Sequence, residues 1–128
     1  MSITDGHNAW IKKAEEDWLC IRNELGSAEK PWSVICFHAQ QAAEKYLKAF
    51  LVFKGVSPER VHDLAMLLER CLAYDPSLDV LLDDCRSLTD FAIDARYPPE
   101  FFEQDEEVNA REAVEAARRI TDAIRDRL

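Results

Sequence analysis

The side chains best suited to handling phosphate in this sequence are Arg86, Arg96, His62, Lys45 and Tyr97. Arg86 and Arg96 stand ten residues apart, close to three helical turns, which sets both along one helix face with Thr89 between them. Guanidinium groups in that register can grip phosphate oxygens through several charge-assisted donors. His62 adds a group that moves protons near neutral pH without a large pKa shift. Lys45 supplies a point charge and Tyr97 a ring that can stack on a base. Each has a plainer use. Asp83, Asp90 and Asp94 stand ready to pair with the arginines on the surface. Asp63 can cap a helix while His62 hydrogen-bonds across the molecule, and Tyr97 can pack under the turn at Pro98 and Pro99.

A second constellation is the stripe His38, Gln41, Lys45 and Lys48, at steps of three, four and three. One reading is a polar groove for phosphate or a partner. The other is a solvated helix face in which Glu44 pairs with Lys48 at the favourable four-residue spacing. The four cysteines, Cys20, Cys36, Cys71 and Cys85, include no C-x-x-C pair and fall in apolar or helical segments. They read as buried free thiols in a reducing cytoplasm, ahead of a zinc site using His38 or His62 or an incidental disulfide. No metal and no cofactor are expected.

Charge narrows the classes further. The net charge is −9, divided as −1 over residues 1–64 and −8 over residues 65–128, and all six lysines lie in the first half. Binding of long nucleic acid is dominated by phosphate neutralisation, so a general DNA- or RNA-binding role is disfavoured. A small anionic ligand or a basic partner fits better. The longest apolar run, Ala49 to Phe53, is far below the about 20 residues of a membrane span. The N-terminal residues lack the basic start and apolar run of a signal peptide, and a soluble cytoplasmic protein is the expectation.

These residues must be held by helices. With 128 residues and only three Gly and five Pro, one domain over residues 1–128 is expected, with no repeat or linker. Trp10, Ala14, Trp18, Ile21 and Leu25 predict a first helix from about Asn8 to Leu25, stopped by Gly26. Pro31 starts the second and Gly55 ends it. Its broad apolar face (Ile35, Ala39, Ala42, Ala43, Tyr46, Leu47, Phe50, Phe53) marks a central helix. A third spans about Asp63 to Tyr74. A fourth, capped by Ser77, carries Leu81, Cys85, Leu88, Ala92 and Ala95 and stops before Pro98. A fifth begins near Asp105 with the stripe Ala110, Val114, Ala117, Thr121, Ile124 and Leu128. No segment alternates at strand period. The fold class is therefore all-α, an antiparallel up-and-down bundle of four to five helices. Phe101 and Phe102 interrupt an acidic run, and at least one should be buried in the core or a dimer interface.

The stretch His38-Ala-Gln-Gln-Ala-Ala-Glu-Lys-Tyr-Leu-Lys-Ala-Phe-Leu51 resembles the most recognisable part of the HEPN family (higher eukaryote and prokaryote nucleotide-binding). His62-Asp63-Leu64 and Ala95-Arg96-Tyr97-Pro98 are similar to two further signatures of that family, and Trp10 resembles an aromatic position of its first helix. The resemblance implies a helical bundle that commonly forms a homodimer. It also implies a partnership, in prokaryotes, with a minimal nucleotidyltransferase in a toxin–antitoxin pair; nucleotide binding at Arg96, His62, Arg86, Lys45 and Tyr97 is the reading of the residues themselves. Catalytic branches are ribonucleases whose motif is Arg, four to six residues, then His. Here the positions after Arg96 where His would fall are Phe101, Phe102 and Glu103. No residue is therefore assigned a catalytic role and the expectation leans away from an enzyme. The alternative is a metal-independent RNA-cleaving toxin that uses Arg96 with a displaced His62.

Overall fold

The computed structural model describes residues 6–58, 60–98, 100 and 104–128. Five α-helices carry the fold: α1 (Gly6–Leu25), α2 (Trp32–Phe53), α3 (Leu64–Leu72), α4 (Leu82–Asp94) and α5 (Glu106–Arg125). There is no strand among the described residues. The expected helical bundle is what forms, with boundaries close to those read from the sequence.

Local chemistry sets those boundaries. Pro31 occupies the N-cap of α2, and Gly55 takes up a left-handed φ of 83° just past its end, a conformation that costs glycine least. Asp63 caps α3 by accepting from the Met66 N–H at 3.1 Å. Asp105 caps α5 by accepting from the Glu107 N–H. The fourth start differs from expectation. Asp75, rather than Ser77, is the cap, accepting from both the N–H (3.1 Å) and the hydroxyl (2.6 Å) of Ser77. A 3₁₀ turn, Pro76–Leu81, then leads into α4, as such turns often do at helix starts.

α2 is the hub. Ile35, Ala39, Ala42, Ala43, Tyr46, Leu47, Phe50 and Leu51 are sealed from solvent along it, and it packs against α1, α3, α4 and α5. The small side chains of Ala39, Ala42 and Ala43 leave room for neighbouring backbones. Phe53, expected in that face, is 41% exposed and meets only the edge of the His7 ring from the start of α1 among the described rings. α1 lies antiparallel to α2, with Trp10 beside Lys48 and Glu24 beside His38. α5 runs parallel to α2, since the Trp32 ring meets Arg111 and the Tyr46 hydroxyl meets Arg125. The α5 stripe is wider than the sequence suggested, with Asn109, Ala113, Ala116 and Ile120 buried beside the expected positions. Leu128 is only half-buried. Phe101 and Phe102 lie outside the described residues.

Candidate functional site

α2 and α4 form the two walls of an open groove of about 600 Å³, with His62 at its edge just before α3. Its polar lining is Ser33, Gln40, Gln41, Glu44, His62, Thr89 and Arg96. Val34, Phe37, Ala92, Ile93 and Ala95 make its apolar walls. Ser33 on α2 and Ala95 at the end of α4 share this lining, as antiparallel packing of the two helices requires. His62, just before α3, joins the lining farther along α2, at Gln40 and Glu44.

The groove floor is built on a buried ion pair. Lys48 Nζ stands 3.1 Å from Glu44 Oε2, and each side chain is only 5% exposed. The Trp10 ring covers the ammonium from α1, 5.3 Å away. Glu44 also holds His62, whose Nδ1 is 3.0 Å from Oε2, and Gln40, whose Nε2 donates to Oε1 at 3.3 Å. Gln40 donates in addition to the His62 carbonyl. Glu44 is therefore satisfied on both oxygens, as a buried carboxylate must be. The His62 ring is thereby fixed through one nitrogen while its side chain stays 75% exposed, which leaves Nε2 for the groove.

The phosphate-handling residues proposed from sequence separate. His62 and Arg96 come to the same groove. Arg86 is exposed on α4 but is not part of that lining, so ten residues along the helix did not give a shared site. Lys45 turns to α1, where its Nζ is 2.7 Å from Asp17. Tyr97 is 57% exposed. Neither Arg86 nor Arg96 has a carboxylate partner among the described residues, although α4 carries four aspartates, Asp83, Asp84, Asp90 and Asp94.

The polar stripe of α2 is neither one groove nor a solvated face. His38 and Lys45 both bind the buried Asp17, Lys48 is sealed against Glu44, and Gln41 alone of the four lines the groove. Asp17 was missed from sequence. It sits between Ala14 and Ile21 on the apolar stripe of α1, and an acid in that register signals a buried partner. The cysteines are free. Burial pushes the thiol of Cys36 up to about 11 and those of Cys71 and Cys85 up to about 12, whereas Cys20 is half-buried.

With this geometry in place, likeness to known proteins decides the family. The HEPN domain family matches residues 7–127. The chain belongs to the HEPN family. Among solved structures it is similar to TT1696 from Thermus thermophilus, at 25% identity and a TM-score of 0.78 over 95% of this chain and 98% of that one. It is also similar to ST0689, an archaeal HEPN homologue, at 28% identity and a TM-score of 0.69 over 94% and 96% of the two chains. No curated protein matches it. Among the described residues no helix is long and apolar enough to cross a membrane.

Proposed function

We propose that this HEPN domain is a non-catalytic, homodimeric interaction module that works with a minimal nucleotidyltransferase in a toxin–antitoxin-type pair, and that its α2–α4 groove binds nucleotide phosphate. One observation carries the phosphate reading: Arg96 and His62 line the same groove, and no carboxylate among the described residues occupies Arg96. Arg96 can donate to phosphate oxygens, His62 Nε2 adds a further contact, and Thr89 and Gln41 supply neutral partners for a sugar or base. The apolar wall of Phe37 and Ile93 suits the face of a base. Arg86, Tyr97 and Lys45 have secondary places in this reading, since they lie outside the lining.

The test is a thermal-shift series of nucleotides on the wild type and on Arg96→Ala. Ligand at about 100 times Kd adds roughly 2.7 kcal/mol to a folded state that alone binds it. Stabilisation of the wild type that Arg96→Ala loses supports the groove. Equal responses place the ligand elsewhere. Sedimentation at micromolar concentration tests the dimer, and only 14.7 kDa particles would contradict it.

A second reading has one observation in its favour. His62 is anchored by Glu44 through Nδ1 and lines the same groove as Arg96, so a proton-transfer group and a phosphate-stabilising group share one lining. Cleavage of labelled RNA in chelator, abolished by both His62→Ala and Arg96→Ala in folded protein, would establish it over the non-catalytic reading. The absence of His from the window after Arg96 and the net charge of −9 favour the binding role.

A further inference from the structure

A separate cluster lies on the α1 side of α2. Cys20 and Glu24 stand one turn apart on α1, and His38 faces them from α2. A sulfur, a carboxylate oxygen and a ring nitrogen from these three residues lie within 4.8 Å of one another. All three residues are half-buried.

Two details show what the cluster lacks. The first is the orientation of His38. Its Nδ1 is 2.9 Å from Asp17 Oδ1, and a carboxylate there accepts the Nδ1 proton. In the neutral ring Nε2 then carries a lone pair, yet it faces Glu24 Oε1 at 3.5 Å. Two acceptors in that position need an electropositive centre between them. The second is Glu24 Oε2, which is closed off from solvent and has no hydrogen-bond partner among the described residues. An unsatisfied buried carboxylate oxygen is costly, and a bound cation removes that cost.

We propose that Cys20 Sγ, Glu24 and His38 Nε2 form a site for a divalent transition metal, with zinc the best-suited ion and a water in the remaining position. Thiolate, imidazole and carboxylate together form a donor set typical of zinc. Bonds of about 2.0 to 2.3 Å in a tetrahedron set ligand atoms roughly 3.3 to 3.8 Å apart. The nitrogen–oxygen separation of 3.5 Å is already in that range. Asp17 acts as a positioning residue, fixing the tautomer and aim of His38 in the way a carboxylate orients many zinc-bound imidazoles. Lys45, 2.7 Å from Asp17, balances the outer charge, so that dication, thiolate, two carboxylates and ammonium sum to neutrality. Binding releases the Cys20 thiol proton to solvent and forms the sulfur–metal bond. The site is independent of the nucleotide groove and stands whether or not that reading holds.

Metal-stripped full-length chain without an affinity tag is titrated with zinc against a chromophoric chelator, and separately with cobalt(II). The expected result is one equivalent bound, with a thiolate-to-cobalt charge-transfer band and the visible bands of four-coordinate cobalt. Cys20→Ser removes the charge-transfer band. Glu24→Gln and His38→Gln each weaken binding. Asp17→Asn weakens it by about 10- to 100-fold while the charge-transfer band remains, a signature that mere structural damage would not give. Circular dichroism establishes that each variant is folded, and His38→Gln serves should Cys20→Ser fail to fold. Absence of stoichiometric binding, a cobalt spectrum without the thiolate band, or wild-type affinity in folded Cys20→Ser or His38→Gln overturns the proposal. An imidazolium at His38, protonated on both nitrogens when excess zinc is present, also overturns it, leaving an ion pair only.

Discussion

Glu44 and Lys48 are one turn apart on α2, yet their ion pair, 3.1 Å long, is almost closed to water. Four-residue pairs on helix surfaces contribute only tenths of a kcal/mol, whereas this one has been desolvated between Trp10, Gln40 and the start of α3. Its net contribution is modest, but its members are tightly interdependent.

The first prediction follows from that interdependence. Lys48→Met leaves Glu44 buried with an uncompensated charge and should cost about 3 to 5 kcal/mol, read from urea unfolding. Adding Glu44→Gln should recover much of the loss, because the amide needs no counter-charge. A single-variant cost below roughly 1 kcal/mol would show that the pair is solvated.

Thiol reactivity provides the second. In metal-free native protein near pH 8, Cys20 should be the thiol that iodoacetamide modifies, giving one adduct by mass spectrometry and four in denaturant. With their values pushed up to about 11 and 12, Cys36, Cys71 and Cys85 are thiolate to about one part in a thousand or less at that pH. Rapid modification of more than one cysteine would contradict the burial described.

The third concerns acid. Hydrogen bonds from Ser77 and then from Arg127 hold the Asp75 carboxyl below its ordinary value. A depressed folded-state pKa gives stability that is fully present above the unfolded value of about 3.9 and is lost as pH falls through the lowered one. Asp75→Asn should therefore be less stable than wild type at neutral pH, with the gap narrowing below about pH 4. Melting temperatures of both proteins across that range check it, and a constant gap would refute the linkage.

A fourth prediction isolates one hydroxyl. Tyr46 donates to Glu15 at 3.1 Å and accepts from Arg125 Nε at 3.0 Å, tying α2 to α1 and α5. Tyr46→Phe keeps the ring in the core and leaves the Arg125–Glu15 pair in place, so a loss of about 0.5 to 1.5 kcal/mol in urea unfolding is expected.

Helices were legible because their periodicity and stops are local. Ile35, Ala39, Ala42, Ala43 and Tyr46 repeat at helical spacing, and Pro31, Gly55 and Asp63 act within a few residues of themselves. The start of α4 was misread because Asp75 and Ser77 are both good caps, and the choice rests on a carboxylate that Arg127 also engages from the far end of the chain. The site was legible in part. His62 and Arg96 line one groove because α2 and α4 pack antiparallel, a relation that the element order implies. Lys45 could not be placed, because its direction is set by Asp17 on another helix. Side chains near the boundary between two helical faces are decided by the partner they reach.

The parallel pairing of α2 with α5 bears on how the chain is made. Residues such as Tyr46 on α2 find their partners some eighty positions later, with Arg125 the example. During synthesis α2 emerges with α1 already beside it, while the flank that α5 will cover stays bare until nearly all of the domain has left the ribosome. The apolar flank of the nascent α1–α2 hairpin is therefore closed to water only when α5, with Ile120 and Ile124 in its buried stripe, docks.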